Sequence, residues 1–269
     1  MEIEELLEIS AEIKSAILTY ISGTTDYGKI LVRRERDVTR KIDMFAEKAL
    51  EKALNSRNLC ARIISEELGD HVFPKSGEPK FTLVFDPIDG STNAILGIPF
   101  FCSSIAYSPK VDHVTFDDIQ ASVVATIYGK TFYAVKGENA FVDGKKLPRK
   151  VEGKTKQVLS IYTYGADSIP QSLMKFQREA KNVIVRVLGS IAAEICLVAE
   201  GVIDAVIDVR GLISGYDIAG AALILKEAGG CITDIKGKEL GDEVGNMQNI
   251  LLIAALEPEM YKRMINTLK

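Results

Sequence analysis

The stretch Val84-Phe85-Asp86-Pro87-Ile88-Asp89-Gly90-Ser91-Thr92-Asn93 decides how the rest of this chain is interpreted. The apolar run at residues 81–85 leads into it and predicts a short buried strand. We expect the strand to break at Asp86-Pro87, because proline fixes its own φ and pushes the preceding residue toward extended geometry. Asp89-Gly90 predicts a second turn, after which residues 91–93 can begin a helix as capping residues.

The chemistry of this stretch points to a cation and a phosphate. Asp86 and Asp89 can point into one cleft at the strand end, while the Ile88 carbonyl turns inward. The N–H groups near Gly90 and Ser91 would face the same cleft, and a helix N-terminus binds phosphate well. Carboxylates beside an anion site make sense if divalent cations lie between them. The alternative is a plain turn in which the aspartates serve as side-chain hydrogen-bond acceptors.

Composition describes an ordinary globular chain. It has 269 residues, of which 47% are hydrophobic and 26% charged, enough for one large domain or two lobes that share a core. The net charge of −4 argues against nucleic-acid or anionic-membrane partners. An acidic N-terminus and the lack of a spanning apolar run predict a cytoplasmic protein. The 4 cysteines show no paired spacing and there are 2 histidines, which argues against zinc and favours free thiols.

Strands and helices alternate along much of the chain, which predicts a mixed α/β fold with sheets covered by helices. We expect helices at residues 3–21, 42–54, 172–180, 190–199, 216–228 and 258–268. We expect strands at residues 61–65, 81–85, 102–107, 158–164, 183–187, 203–209, 231–235 and 250–254, and strands joined by a hairpin at Gly129 within residues 121–135. Residues 24–36 and 68–80 are expected to be loops. The polar stretch 145–157 suggests an N-terminal lobe at residues 1–145 and a C-terminal α/β lobe at residues 146–269, which form one continuous catalytic unit.

Acidic residues elsewhere have the placement that a metal site needs. Glu66-Glu67 closes a strand, although such a pair is often no more than surface charge at a loop entrance. Asp217 begins a late helix rich in small residues, where an N-cap role is the alternative and where small side chains allow close approach to another backbone. Asp43 begins an earlier helix and could simply be a first-turn acid.

Taken together, these motifs resemble the inositol monophosphatase superfamily, which includes fructose-1,6-bisphosphatases and bisphosphate nucleotidases. The resemblance rests on Glu66-Glu67, on residues 86–93 and on Tyr216-Asp217-Ile218-Ala219-Gly220, in order and at fitting separations. It covers nearly the whole chain and implies a layered α-β-α-β-α sugar-phosphatase fold. Residues 93–100 look most like the archaeal branch, whose members often accept both inositol phosphates and fructose 1,6-bisphosphate.

The resemblance implies a Mg²⁺ site of two or three ions, with Mn²⁺ as a substitute. Glu66, Asp86 and the Ile88 carbonyl would hold one ion. Asp86, Asp89 and Asp217 would hold the second, with Asp86 bridging. A looser third ion would lie near Glu66 and Glu67. Hard carboxylate oxygens suit these cations, and cations balance carboxylates that would otherwise repel one another.

The resemblance also implies a substrate site. Backbone N–H groups of Gly90 and Ser91 would hold the phosphate. Asp43 and the Ser91 hydroxyl would orient the attacking water, and Glu66 is counted with them as catalytic. The remaining residues expected to bind substrate are Thr92, Gly189, Ser190, Arg210 and Asp217. No Cys or His stands in a comparable motif as a nucleophile, so direct attack by water is favoured.

One position departs from the family pattern. Arg210 stands where animal members carry a carboxylate that touches inositol, seven residues before Asp217. A cation there suits a second phosphate or a more anionic sugar. The alternative is that Arg210 caps a strand end or makes an ion pair.

The expected function is therefore a Mg²⁺-dependent phosphomonoesterase of carbohydrate metabolism that hydrolyses inositol 1-phosphate, fructose 1,6-bisphosphate or both. The resemblance implies a homodimer and small phosphorylated substrates, without nucleic-acid or membrane partners. A 3′-phosphoadenosine 5′-phosphate phosphatase is an alternative, but it would need a surface for adenine that the sequence does not locate. A regulatory protein that retains the fold is a second alternative, which loss of a metal carboxylate would favour; no such loss occurs.

Overall fold

The computed structural model of the protein describes residues 1–33, 38–166 and 169–268. The helices are α1 (Ile3–Gly23), α2 (Lys41–Ser56), α3 (Ser91–Leu96), α4 (Gln171–Glu179), α5 (Ile191–Glu200), α6 (Gly215–Glu227) and α7 (Pro258–Leu268). The strands are β1 (Ile30–Arg33), β2 (Val38–Arg40), β3 (Ala61–Ser65), β4 (Gly69–Phe73), β5 (Thr82–Asp89), β6 (Cys102–Ser108), β7 (Ala121–Thr126), β8 (Thr131–Val135), β9 (Ala140–Val142), β10 (Lys145–Lys146), β11 (Gln157–Tyr162), β12 (Val183–Arg186), β13 (Ala205–Ile213), β14 (Cys231–Asp234) and β15 (Ile250–Ala255).

The strands form two large sheets and one small hairpin. The first sheet has the order β10-β9-β8-β7-β6-β5-β3-β4, and the second has the order β12-β11-β13-β15-β14. Strands β1 and β2 pair by themselves. Helices α1 and α2 cover one face of the first sheet, α5 and α6 lie between the sheets, and α4 and α7 cover the outer face of the second. The expected α-β-α-β-α layering is confirmed.

Alternation of side chains along the strands separates the three cores. In β5, Leu83 and Phe85 pack against α1 and α2, while Val84 faces the middle helical layer. In β13, Ile207 belongs to the outer core with α4 and α7, while Val206 faces the middle layer. Because successive residues of a strand point to opposite faces, each sheet can serve two cores at once.

Helix α6 lies unusually close to the first sheet, as its small residues predicted. A Cβ added to Gly220 would lie 2.6 Å from the Ser104 hydroxyl oxygen and 3.4 Å from Val124. The Ser122 hydroxyl donates to the Gly220 carbonyl at 2.9 Å. The close approach positions the N-terminus of α6, and Asp217 with it, over the end of β5.

Strand β5 runs farther than the sequence predicted. The expected break at Asp86-Pro87 is wrong, because the strand continues to Asp89 through an irregularity in its pairing with β6 between Asp86 and Asp89. Proline has no N–H to contribute to a ladder, so it is tolerated where pairing is interrupted. The interruption keeps both aspartates on one strand end while changing the direction of the backbone between them.

Two expected loops contain strands. Residues 69–73 form β4, which pairs antiparallel with β3 at the sheet edge, and residues 30–33 form β1. An edge strand needs only one partner and tolerates a polar, Gly-containing sequence that local patterns assign to a loop. The structure does not describe Arg34 and Arg36, which end the expected loop at residues 24–36, or Asp37 after them. The division of the chain near residue 145 stays a prediction.

Substituting Gly220 tests the close approach of α6. We expect Gly220→Val to lower the free energy of unfolding by about 2 kcal/mol, because overpacking a filled core typically costs about 1–3 kcal/mol. Thermal and urea denaturation would measure the change. Gly23→Val is the matched control, since an added Cβ there meets no atom within 4 Å. Equal stability of the two variants would contradict a tight contact at Gly220.

Candidate active site

The pairing of β3 with β5 brings the first two carboxylates together. The strands are parallel, with Ser65 opposite Phe85, so Glu66 and Asp86 follow as neighbours. The Glu66 backbone N–H donates to the Phe85 carbonyl at 3.3 Å, which extends the pairing by one residue. The position of Glu66 beside Asp86 is therefore a direct consequence of strand register.

The third carboxylate belongs to the second half of the chain. Asp217 occupies the third position of α6, where it accepts a hydrogen bond from the Ser214 backbone N–H at 2.7 Å. This capping bond fixes the Asp217 side chain at the N-terminus of α6. One carboxylate oxygen from each of Glu66, Asp86 and Asp217 lies within 4.8 Å of the others. We call these three residues the carboxylate group.

The electrostatics of the carboxylate group favour a bound cation. Asp86 is only 1% exposed, and its Oδ1 is buried with no hydrogen-bond partner among the described residues. Burial, followed by the negative charges of Glu66, Asp89 and Asp217, raises the pKa of Asp86 well above its ordinary value. A divalent cation would satisfy the buried oxygen and offset the repulsion, so the donor set fits a hard metal ion.

Asp89 has a different environment from the carboxylate group. Its carboxylate accepts hydrogen bonds from the Ser190 hydroxyl at 2.6 Å and from the backbone N–H groups of Ile191 at 3.1 Å and Ala192 at 2.7 Å. Burial raises the pKa of Asp89, while these bonds act in the opposite direction. Asp89 thus ties the end of β5 to the beginning of α5, on the border of the candidate metal site.

Two glycines allow the halves of the chain to meet at this border. Gly90 has a φ of +93°, and a Cβ there would lie 2.9 Å from the Gly189 carbonyl oxygen. Asn93, three residues on, donates its side-chain amide to the Phe100 carbonyl at 2.7 Å and to the Leu188 carbonyl at 2.6 Å. The turn after β5 is therefore fixed against the segment that precedes α5.

A cavity of about 470 Å³ collects most of the residues predicted from the sequence. Those that line it are Glu66, Asp86, Ile88, Asp89, Gly90, Ser91, Thr92, Gly189, Arg210 and Asp217. The lining residues that the sequence did not single out are Tyr162, Tyr164, Ile191, Leu212 and Ile213, together with Asn93, which was noted only as a capping residue. Most of these residues share one feature, which is that they lie at or just after the ends of strands β11 and β13. These two strands run parallel, so their ends lie at the same edge of the sheet.

Three predicted residues lie behind the lining. Asp43 is buried and accepts a hydrogen bond from the Arg40 backbone N–H at 2.7 Å, as a helix-start acid does. Glu67 is buried and accepts a hydrogen bond from the Thr39 hydroxyl. Ser190 is buried with its hydroxyl on Asp89. That Asp43 and the Ser91 hydroxyl orient one water stays a prediction.

Glu47, a buried glutamate that the sequence did not single out, supports the turn that carries Glu66. The Ser65 hydroxyl donates to Glu47 and accepts the backbone N–H groups of Glu67 at 3.1 Å and Leu68 at 3.2 Å. Burial raises the pKa of Glu47 to about 8. The turn that carries Glu66 is thereby attached to α2, and helical periodicity alone gave no sign of this role for Glu47.

Arg210 forms the ion pair that the sequence left open as an alternative. Its guanidinium donates to the buried carboxylate of Asp208 through Nε at 2.9 Å and Nη2 at 2.5 Å. Its guanidinium carbon lies 4.1 Å from the ring centre of Tyr162 and 4.7 Å from that of Tyr164. Although burial opposes the charged form, the bonds to Asp208 raise the pKa of Arg210.

Tyr162 connects this cluster to the segment before α5. Its hydroxyl donates to the buried carboxylate of Glu194 and accepts the Gly189 backbone N–H at 3.0 Å. Glu194 also accepts the Leu188 backbone N–H at 2.9 Å. Burial raises the pKa of Tyr162, so its hydroxyl stays protonated and keeps its hydrogen-bonding role.

Comparisons with known proteins agree with this geometry. The chain is 34% identical over 261 residues to a fructose-1,6-bisphosphatase/inositol-1-monophosphatase of Methanocaldococcus jannaschii, covering 97% of this chain and 96% of that protein. It is 29% identical over 278 residues to a bifunctional NADP phosphatase/NAD kinase of Methanococcus maripaludis, covering 98% of this chain and 48% of that protein. A solved structure of an inositol monophosphatase–fructose 1,6-bisphosphatase has a TM-score of 0.77 at 32% identity and covers 98% of each chain.

The family itself, described as the inositol monophosphatase family, is matched along almost the whole length, over residues 3–269. The expected likeness to the archaeal branch is confirmed by the archaeal relatives named for both phosphatase activities. The layered fold, the carboxylate group and these matches lead to one conclusion: the chain belongs to the inositol monophosphatase family and is a phosphoric monoester hydrolase.

Proposed function

We propose that this phosphatase uses Mg²⁺ to hydrolyse inositol 1-phosphate, fructose 1,6-bisphosphate or both. The observation that carries the proposal is the carboxylate group. One carboxylate oxygen from each of its three members lies within 4.8 Å of the others, and Oδ1 of Asp86 is buried without a hydrogen-bond partner in the part of the chain that the structure describes. The substrates are those in the name of the relative from Methanocaldococcus jannaschii. Mn²⁺ is a proposed substitute for Mg²⁺, since both prefer oxygen ligands.

The residues that would hold the cations are Glu66, Asp86, Asp217, Asp89 and the Ile88 carbonyl, with Glu67 near a looser third ion. When bound, such cations polarise phosphoryl oxygens, lower the pKa of a bound water and stabilise the leaving alkoxide. Asp86 would be the ligand shared by two cations. It lies at the end of β5, beside Glu66 and three residues before Asp89, and it is more deeply buried than either of them.

The protein's own groups position the reactants in this proposal. The backbone N–H groups of Gly90 and Ser91 bind the phosphate, where the left-handed Gly90 turns the chain into α3. Thr92 and Gly189 line the cavity near them. The Ser91 hydroxyl contacts the attacking water, and Asp43, behind the lining, accepts the hydrogen bond of Ser91 and through it the proton of the water.

The wider setting of the enzyme is also proposed. Homodimerisation, a cytoplasmic location and the lack of nucleic-acid partners follow from the family resemblance and from composition. The 4 cysteines are unpaired in the structure. Among the described helices, none combines the length and the hydropathy that crossing a bilayer requires.

Neutralising Asp86 is expected to stabilise the protein in EDTA. Because the folded state raises the pKa of Asp86 above 3.8, the stability that protonation provides is present in acid and is lost as pH rises through the raised pKa. We therefore expect Asp86→Asn to raise Tm in EDTA at about pH 7. We also expect it to remove most of the Tm increase, about 5–10 °C, that Mg²⁺ at about 100 times Kd gives the unsubstituted protein.

Differential scanning calorimetry with EDTA or Mg²⁺ would measure both effects. Asp242→Asn is a control, since Asp242 is exposed and lies outside the cavity. An identical Tm increase with Mg²⁺ in the Asp86→Asn and unsubstituted proteins would rule out the carboxylate group as the cation site.

The activity itself is tested by phosphate release. We expect turnover of inositol 1-phosphate or fructose 1,6-bisphosphate with Mg²⁺, none in EDTA, and none from Asp86→Asn. NADP and 3′-phosphoadenosine 5′-phosphate complete the panel. NADP is included because one relative is named as a bifunctional NADP phosphatase/NAD kinase, and 3′-phosphoadenosine 5′-phosphate is the substrate of the alternative nucleotide phosphatase. Full activity in EDTA would disprove metal dependence, and turnover of a nucleotide alone would replace the proposed substrates.

The role of Asp43 is tested by separating catalysis from metal binding. We expect Asp43→Asn to lower kcat by about 10²–10⁴-fold, the usual contribution of a positioned proton acceptor, with little change in Mg²⁺ affinity by calorimetry. The losses from Asp43→Asn and Ser91→Ala should be non-additive, because both residues act on one water. A severe loss of Mg²⁺ affinity with intact kcat at saturating Mg²⁺ would make Asp43 a ligand instead.

A further inference from the structure

The lining of the cavity has two parts of different character. The carboxylate group and Asp89 make one part strongly acidic. The other part includes Tyr164, which is 57% exposed, and Leu212, which is 45% exposed. Large apolar side chains that remain open to solvent inside a functional cavity mark surfaces that a ligand covers. When a monoester binds with its phosphate at the carboxylate group, its leaving group must contact lining residues other than those carboxylates.

Arg210 does not bring net positive charge to this part of the lining. It is the only cationic side chain among the described residues of the lining, and it is paired at 2.5 Å and 2.9 Å with Asp208, which is fully buried. The Arg210 backbone N–H also donates to Asp208 at 2.8 Å. An arginine whose charge is already balanced by a buried carboxylate offers less to a second phosphate than an unpaired one does.

Arg210 instead fixes the exposed tyrosine. Its Nη1 donates to the Tyr164 hydroxyl at 2.5 Å, and its guanidinium carbon is 4.7 Å from the centre of the Tyr164 ring. The neighbouring Tyr162 is buried and is hydrogen-bonded to Glu194 and Gly189. Tyr164 is therefore held from one side by a rigid cluster while its other side stays open. Such preorganisation lowers the entropic cost of binding.

We propose that Tyr164 and Leu212 form a subsite that binds the flat or apolar face of a ring in the leaving group, and that Arg210 is a positioning residue for Tyr164. The inference rests on the proposed phosphatase function and specifies which part of the substrate the enzyme recognises. Aromatic side chains stack on rings of many kinds because the contact is made by a face and needs no particular hydrogen bond. The ring chemistry includes the C–H face of a cyclitol or sugar and the face of a nucleobase.

Three phosphate monoesters separate these cases. Inositol 1-phosphate carries a saturated ring, adenosine 2′-phosphate carries a nucleobase, and glycerol 2-phosphate carries no ring. We expect Tyr164→Ala to lower kcat/KM about 5- to 100-fold on at least one ring substrate, mainly through KM, which is the usual range for loss of a stacking contact. The loss on glycerol 2-phosphate should be several times smaller. Tyr164→Phe keeps the ring and should recover most of the loss.

Tyr128→Ala is the matched control for loss of an exposed tyrosine. Tyr128 is 55% exposed, close to the value for Tyr164, and lies outside the cavity lining. Its substitution should leave the ratio of kcat/KM between ring and ring-free substrates unchanged. Thermal denaturation of each variant would show that Tyr164→Ala and Tyr128→Ala are folded to a similar extent.

The positioning role of Arg210 is tested by a double-mutant cycle. Arg210→Lys keeps the charge but cannot reproduce the two-nitrogen pairing with Asp208 together with the bond to Tyr164. We expect it to raise KM on the ring substrates, as Tyr164→Ala does, and the double variant to lose little more than Tyr164→Ala alone. Tm of Arg210→Lys separates this effect from loss of folding, and the Tyr164 variants decide the inference if that variant is unstable.

A ring subsite and a general loss of activity give different patterns across the three substrates. Selective loss on inositol 1-phosphate or adenosine 2′-phosphate supports the subsite and identifies its ring. Equal losses on all three substrates would overturn it. Additive effects of Arg210→Lys, with a selective loss on fructose 1,6-bisphosphate relative to fructose 1-phosphate, would overturn the positioning role and make Arg210 a second-phosphate ligand. No turnover of any phosphate ester by the unsubstituted protein would defeat the proposed function itself.

Discussion

Repulsion between carboxylates held in a buried place is the constraint on which the rest of this structure depends. Glu66, Asp86 and Asp217 would separate if the backbone allowed it, because their charges disfavour one another and Asp86 is cut off from water. Parallel pairing of β3 with β5 fixes the first two, and close packing of α6 on the sheet fixes the third. The scaffold thus holds an arrangement of charge that a bound cation, or protonation of Asp86, makes favourable.

The opposite half of the chain supports the same place through hydrogen bonds and close backbone contact. Asp89 is bonded to the beginning of α5, and Gly90 lies against Gly189. Asn93 binds the Leu188 carbonyl, while Glu194 and Tyr162 hold the N–H groups of Leu188 and Gly189. The strand end that carries the acids and the segment that precedes α5 therefore restrain each other, and a shift of either would alter the shape of the cavity.

Sequence patterns predicted the parts of the site that depend on local order. Glu66 and Asp86 each follow an apolar strand, and Asp217 begins a helix of small residues, so their positions could be inferred before any contact was known. An ion pair of Arg210 was left open by the sequence, without Asp208 as its named partner. The placement of Tyr164 could not be predicted, because it depends on how β11 lies beside β13. Strand β4 was missed for a related reason: pairing at a sheet edge with β3 outweighed its loop-like composition.

The position of α6 between the two sheets has a consequence for how the protein is made. Glu66 and Asp86 belong to the part of the chain that leaves the ribosome first, whereas Asp217 lies on a helix that packs against both the first sheet and β14. Domains of this size gather their distant contacts late. A nascent chain thus carries two repelling acids in its central strands long before the third acid exists. A cation held by all three carboxylates would therefore stabilise only those chains that extend through α6.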